Sequence, residues 1–522
     1  MGETAASDHV RLIYSAEHFL ESDIRRYMTV SHRWGQSEML KLATSNEMTF
    51  RKCIPSSCLP KTFQHAVELA RQLGVRYLWI DALCIIQDSK DDWLKESSTM
   101  ADVYKNAYCN IAATSATNSN GGLFFPRNPN LLTTNIFVRP AWPEANQREF
   151  VFTQPPHQSI FEQLEREPLL DRGWVLQERY LAARVLHFTT DRVFFECHHH
   201  LVCEEFPNGI PDIHGELCSH HPEETFLHRQ MSSKEEANRG ERREILEWNN
   251  LIKSYTKCSL TFSTDKLMAL SGITTHFSRY KLPHDDYFAG IWRSQLPSAL
   301  LWRGGGSFPR KKEPYQAPTW SWASLDGAID MDLTERTSAN FHSELAEVLE
   351  VCVTTLTGNP TGPPSSGFIR LRAVTAVIAV RKDKIISVSR MDSSCPKTCP
   401  VPRRGKFRTA KLTYDIPVNR EREDKVPKYS VSKSSLWRHI PFRNNNVDGV
   451  KHIPIVLIKC NDWEGPSGKL LGDRFMAMGL ALSQLEDGTF QRLGYVSFWG
   501  DFFVPWLLKF LGYPDAKDIT IV

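Results

Sequence analysis

Cysteine is sparse: twelve residues are spread over a chain of 522, which excludes a small disulfide-built scaffold. Several lie in apolar runs such as Leu83-Cys84-Ile85-Ile86, where reduced, buried thiols are expected. No apolar stretch follows Met1, so no secretory signal is expected. The greasiest stretch late in the chain, Tyr495 to Tyr513, is broken by Gly500, Asp501, Pro505 and Lys509, which argues against a membrane span. Charge of one sign is also lacking. Lys plus Arg number 63 against 60 for Asp plus Glu, so no strong basic excess points to nucleic acid. There is no internal repeat of about 30–50 residues. Nucleophile-elbow, P-loop, metalloprotease, kinase and zinc-deaminase signatures are all missing. These absences together predict a cytoplasmic protein that binds neither nucleic acid nor membrane. Apolar residues make up 41% of the chain, enough to bury a large core.

What is present begins with alternating helices and strands. Residues 26–31 read as a strand closed by His32-Arg33-Trp34-Gly35. Phe63, Ala66, Val67, Ala70 and Leu73 share one helical face, and Gly74 follows as a C-cap. Val75–Ile80 is apolar on both sides, the pattern of a strand covered on both faces. Ser89 with Asp91 and Asp92 starts a second helix carrying Trp93, Met100, Val103 and Tyr104 on one face. Tyr108–Thr114 reads as the next strand. The spacing predicts that the three strands are neighbours in one mostly parallel sheet, with Lys61–Leu73 as a crossover helix. A hairpin pairs Ile136–Val138 with Phe150–Phe152 inside a Pro-rich insertion. A helix then begins near Arg172, and Arg184–Phe188 pairs with Arg192–Cys197. Glu235–Glu247 starts a helix with Trp248, Leu251, Ile252 and Tyr255 as its apolar stripe. Residues 265–277 and 287–302 read as helical, and the last third as β-rich. There Glu486-Asp487-Gly488 marks a hairpin, Asp501–Leu511 a short helix and Ile519–Val522 an edge strand.

Two readings follow from chemistry alone. Open α/β sheets bind ligands beyond the carboxyl ends of their strands. Asp81 ends the second strand, and Ser31, Arg33 and Trp34 end the first. In such a crevice Arg33 suits a phosphate, Trp34 a ring and Asp81 a hydroxyl. Asp81 equally suits a turn that accepts backbone N–H bonds, and Trp34 equally suits a core. The cluster Cys197, His198, His199, His200, Cys203, His214, Cys218, His220 and His221 lacks regular paired spacing, as does Cys395 with Cys399. No metal is expected at either. Arg403, Arg404, Lys406 and Arg408 read as an exposed basic loop, and Gly304-Gly305-Gly306 as a flexible turn.

Four ordered blocks carry a family likeness. They are Val30-Ser31-His32-Arg33-Trp34-Gly35, Leu59-Pro60-Lys61-Thr62-Phe63, Tyr77 to Asp88, and Arg172-Gly173-Trp174-Val175-Leu176-Gln177-Glu178-Arg179. They resemble the fungal heterokaryon incompatibility (HET) domain, with looser similarity continuing to about residue 330. His32 departs from the tyrosine common at that position. The helix–strand alternation over 26–197 predicts a three-layer, mostly parallel-sheet α/β fold, which the resemblance makes TIR- or flavodoxin-like, and the β-rich composition beyond about residue 330 predicts an α+β or mostly β module after it. The divisions expected are 1–24, 25–200, 201–330 and 331–522. The resemblance also implies a role in fungal non-self recognition or cell death, and a distant kinship to TIR domains, some of which cleave NAD.

Through that kinship the W-x-x-x-E arrangement of Trp174 and Glu178 implies a carboxylate that NAD cleavage depends on. The two residues stand at i and i+4 and share a helix face. The expected site is Glu178 and Asp81 as catalytic carboxylates, with Ser31, His32, Arg33, Trp34, Arg172 and Trp174 contacting substrate. No cofactor is required, and NAD or NADP is the candidate substrate. A glutamate ion-paired with Arg172, Arg179 or Arg184 at the helix surface is the alternative for Glu178. For the whole chain the alternatives are a secondary-metabolism enzyme acting on a small organic molecule, and a scaffold acting through self-association or a signalling partner.

Overall fold

In the computed structural model, Tyr27–Ser31 (β1) lies inside a six-stranded sheet. The structure describes residues 9–18, 26–36, 38–127, 135–138, 150–153, 163–197, 200–208, 243–304, 315–331, 343–356, 358–381, 384–390, 398–400, 410–414, 450–460, 476–499 and 516–522. The chain divides into two compact units. One holds residues 1–233 with 258–260 and 269–273, and the other holds the remainder.

The first unit is built on Lys61–Gln72 (α1), Tyr77–Ile80 (β2), Lys90–Lys105 (α2), Cys109–Ala112 (β3), Gly173–Leu181 (α3), Arg184–Phe188 (β4), Val193–Cys197 (β5) and Leu201–Cys203 (β6). The sheet order is β2-β1-β3-β4-β5-β6. β1 runs parallel to both β2 and β3, β3 parallel to β4, and β5 and β6 return antiparallel. The three expected strands are therefore neighbours, and α1 is the crossover between two of them. The chain leaves β1 toward β2 on one side and leaves β3 toward β4 on the other, so β1 and β3 flank a topological switch point.

Local chemistry explains these elements. α1 buries Phe63, Ala66 and Ala70, and Gly74 follows with φ +67°, a left-handed conformation that glycine adopts without strain. Leu73 departs from its expected face: it is 49% exposed, because the helix has already ended at Gln72. Ser89 caps α2 by accepting the Asp92 N–H at 3.3 Å. In β1, Met28 and Val30 join the α1-side core, while the alternate residues Thr29 and Ser31 turn to the other face. β2 corrects the expectation of a strand covered on both sides. It is the sheet edge, and only Ile80 of its four residues is fully buried. The hairpin Asn135–Val138 with Phe150–Thr153 is present.

The second unit opens with a helix over Arg243–Tyr255 that buries Trp248, Leu251, Ile252 and Tyr255. Residues 287–302 are not one helix. Tyr287–Phe288 pairs with Ile291–Trp292 around Ala289 and Gly290, both at positive φ as a tight hairpin requires, and short 3-10 turns follow. Residues 265–277 likewise break into short 3-10 pieces before the single α turn Ser271–His276. The β-rich region is one sheet in which Pro364–Arg381 pairs with Ala346–Thr355, Lys384–Arg390, Val450–Cys460 and Lys517–Ile521. The hairpin of Met476–Gln484 and Phe490–Trp499 turns at Gly488, φ +89°. Lys517–Ile521 is not an edge, since it also pairs with Phe490–Trp499 through Ile521. Asp501–Leu511, the basic stretch 403–408, Cys395 and Gly305 and Gly306 of the glycine run lie outside the described residues. No helix among the described residues is long and apolar enough to cross a membrane.

Candidate functional site

Helix α3 buries nearly its whole circumference, Gln177, Glu178 and Arg179 included. Polar groups taken out of water must find partners, and each of these three residues finds at least one, although the Gln177 Nε2 and Arg179 Nη2 atoms have none. Gln177 accepts the Gly272 N–H at 2.7 Å. Arg179 donates to Glu196 at 2.7 Å and to Glu165 at 2.8 Å. Glu178 is 3% exposed and accepts the hydroxyl of Ser31, the last residue of β1. Tyr104 on α2 shares hydrogen bonds with both Glu178 and Ser31.

A directed chain leads to that carboxyl. Thr29 donates to the Asn110 side-chain oxygen at 3.0 Å, the Asn110 amide donates to Ser31 at 2.9 Å, and Ser31 donates to Glu178. Burial pushes the Glu178 carboxyl up to about 7; Arg172 and the Ser31 hydroxyl pull the other way without cancelling it. The surface ion-pair alternative for Glu178 is thereby corrected. Arg179 is engaged by Glu196 and Glu165, Arg184 donates to the Tyr108 carbonyl, and Arg172 donates to the His32 carbonyl.

The loop after β1 supplies a second group. Trp34 donates its indole N–H to Asp81 at 3.0 Å, and Asp81 also accepts the Ala82 N–H at 2.7 Å. Asp81 thus acts as the turn-forming acceptor and as a tether for the loop. His32 is 1% exposed, its ring 3.6 Å from Asp81, parallel to Trp34 and edge-on to Phe63. Neither ring nitrogen of His32 has a hydrogen-bond partner. Burial lowers its pKa to about 4, against the pull of Asp81, so the ring is neutral. Gly35, at φ +73°, lets this loop pass Asn118 so closely that an added Cβ would stand 2.5 Å from the asparagine Cβ.

The structure therefore joins Ser31 to Glu178, Trp34 and His32 to Asp81, and Arg172 to His32. Arg33 donates to the Pro168 carbonyl at 3.0 Å. Trp174 packs edge-to-face on Trp93 of α2, with ring centroids 6.4 Å apart. It faces the same helix that Glu178 reaches through Tyr104, as the i, i+4 spacing predicts.

Residues 27–178 match the family model described as heterokaryon incompatibility protein (HET). This segment is a HET domain. The match starts on the first residue of β1 and ends on Glu178. No curated protein and no solved structure matched the chain.

Three polar members of the HET domain site escaped sequence reasoning: Thr29, Tyr104 and Asn110. Asn110 did leave a signal, as an amide in the otherwise apolar run Cys109-Asn110-Ile111-Ala112, where only a buried partner would justify it. Among the described residues no group of three His, Cys, Asp or Glu side chains could hold a metal ion. His198, His199, His214, Cys218, His220 and His221 lie outside them.

Proposed function

We propose that the HET domain binds a nicotinamide nucleotide, NAD or NADP, at the carboxyl ends of β1, β2 and β3 and hydrolyses its N-glycosidic bond. The observation that carries this reading is the Ser31–Glu178 contact at the switch point: a carboxyl of raised pKa held by the terminal residue of a parallel strand. The parallel order 2-1-3-4 supports the flavodoxin-like and TIR-like kinship, while the antiparallel β5 and β6 depart from it.

As the bond from ribose C1′ to nicotinamide breaks, its electron pair leaves with the ring and positive charge grows on the sugar. The Glu178 carboxylate stabilises that charge. Water then adds at C1′ and releases a proton, giving ADP-ribose and free nicotinamide. Asp81 and Trp34 hold a hydroxyl and a ring at the mouth of the site. Because the ionised form of Glu178 does this work, turnover rises with pH through about 7.

The test is release of nicotinamide by wild type and Glu178→Gln. The variant keeps size and hydrogen bonding, and loses roughly 10²-fold or more in rate, about 3 kcal/mol of transition-state stabilisation. The 3% exposure of Glu178 favours a second reading, a recognition domain in which the acid is purely structural. Folded wild type that releases no nicotinamide, alone or with an assembling partner, decides for it.

A further inference from the structure

Segment 167–172 is strapped across the carboxyl ends of β1 and β3. Arg33 donates to the Pro168 carbonyl at 3.0 Å, Ser115 donates to the Glu167 carboxylate, Leu169 N–H donates to the Thr114 carbonyl at 3.1 Å, and Arg172 donates to the His32 carbonyl. Leu169 is the anchor, fully buried against Ala112, Val175 and Val185. Ahead of that anchor, two donors from the loops that follow β1 and β3, the Arg33 guanidinium and the Ser115 hydroxyl, meet two acceptors from the strap. Thr190 N–H also donates to the Ser115 oxygen at 2.9 Å.

This point lies beside the switch between β1 and β3, where open α/β sheets take their ligands. The N-terminus of α1, the usual cradle for a phosphate in such folds, is already engaged: Thr62 N–H donates to the Ser119 carbonyl at 3.0 Å. His32, whose ring nitrogens have no hydrogen-bond partner, is tied to the same strap through its backbone carbonyl, which accepts from Arg172.

We propose that Glu167 and Pro168 occupy, in the resting domain, the seat of a ligand phosphate, and that a phosphate group enters by displacing them from Arg33 and Ser115. The proposal deepens the nucleotide reading above and rests on it for the identity of the ligand as a nucleoside diphosphate. A guanidinium that donates to one carbonyl in the resting state can donate to two phosphate oxygens at once, while Ser115 exchanges a carboxylate for a phosphate oxygen. Leu169 stays as the fixed end of the strap, so only the Glu167–Pro168 turn moves. Glu167 is half-buried, and burial pushes its carboxyl up while the Ser115 hydroxyl pulls it down.

The experiment uses the full chain with four probes: inorganic phosphate, pyrophosphate, ADP-ribose and nicotinamide riboside, which carries no phosphate. Calorimetric affinities are compared for wild type, Arg33→Met and Glu167→Gln, alongside melting curves and hydrogen exchange at the Glu167 and Leu169 amides. Glu167→Gln weakens the latch without touching Arg33 and raises phosphate affinity roughly tenfold; Arg33→Met lowers it by at least as much. Ligand speeds exchange at the Glu167 amide and leaves that of the anchored Leu169 unchanged. Binding of ADP-ribose alone identifies a nucleotide as the source of the phosphate, whereas equal binding of pyrophosphate identifies the free anion; both support the seat. Overturning results are an affinity for the bound phosphate-bearing probe unchanged in either folded variant, binding of nicotinamide riboside as tight as that of ADP-ribose, or no binding of any of the three phosphate-bearing probes by folded Glu167→Gln. Phosphate binding without nicotinamide release rejects the hydrolase reading and leaves the seat standing. Nicotinamide release that is indifferent to Arg33 does the reverse.

Discussion

A carboxyl group shut away from water keeps its proton unless a nearby positive charge favours the anion, and around Glu178 burial wins. Its folded pKa of about 7 lies above the ordinary 4.5. Between those values the folded state binds more protons than the unfolded one, so this group's contribution falls as pH rises, by about 3 kcal/mol in all. His32 has the opposite sign. Its folded pKa of about 4 lies below the ordinary 6.5, so its contribution is complete above 6.5 and is lost as pH falls toward 4. Urea melts at pH 5 and pH 8 separate the two. Relative to wild type, Glu178→Gln should gain stability on going to pH 8, and His32→Leu should gain on going to pH 5. Parallel slopes for variant and wild type would show that these groups titrate normally. Sequence reasoning found both residues but not their burial. Burial depends on Tyr104, Asn110 and the strap at 167–172, which lie far from them in the chain.

At the scale of elements, helix α3 shows what a buried polar face demands. Arg179 bridges Glu196 and Glu165, and Glu196 also accepts from His187 at 3.1 Å, whose other ring nitrogen meets Thr114 at 3.3 Å. This chain joins α3 to β4, β5 and the end of β3. Burial alone would raise the Glu196 carboxyl, but Arg179 and His187 overcome it and hold it at about 2. Glu196→Ala leaves the Arg179 charge buried with one partner fewer, and should cost about 3–5 kcal/mol in a denaturant melt at pH 7. A loss under 1 kcal/mol would mean that water reaches Arg179. The helices α1 and α2 were legible because caps and apolar spacing are local signals. The hairpin at 287–292 was not, because its turn carries Ala289 at positive φ, where sequence leads one to expect Asn or Gly. The edge position of β2 was hidden too, since Tyr77, Leu78 and Trp79 are as apolar as any central strand.

At the scale of the whole molecule, the first unit is not a continuous stretch of chain: residues 258–260 and 269–273 belong to it. Ser259 forms a backbone bridge to the residues that open α3, accepting from Gly173 at 2.9 Å and donating to Asp171 at 2.6 Å. Ala269, Leu270 and Ile273 are fully buried. The HET domain match stops at Glu178, yet the helix carrying Glu178 is held by Ser259 and Gly272, which lie well beyond the match. Gly272 tests this dependence through the sign of one substitution. Within Ser271–His276, an ordinary exposed Gly→Ala change stabilises a helix by about 1 kcal/mol. Here the added methyl would stand 2.4 Å from the Ala101 Cβ on α2 and 2.8 Å from the Gln177 side-chain oxygen on α3. The backbone N–H of the same glycine donates to that Gln177 oxygen, so relief of the clash stretches a buried hydrogen bond. Overpacking of this kind costs about 1–3 kcal/mol and outweighs the helix gain. Gly272→Ala should therefore melt lower by several degrees, at about 2–4 °C per kcal/mol for a unit of this size, and should also lower the Glu178 pKa as α3 loosens and water enters. A melting temperature equal to wild type or higher would show that the 269–273 segment does not press on α3, and Glu178 would then owe its burial to the strap and to α2 alone.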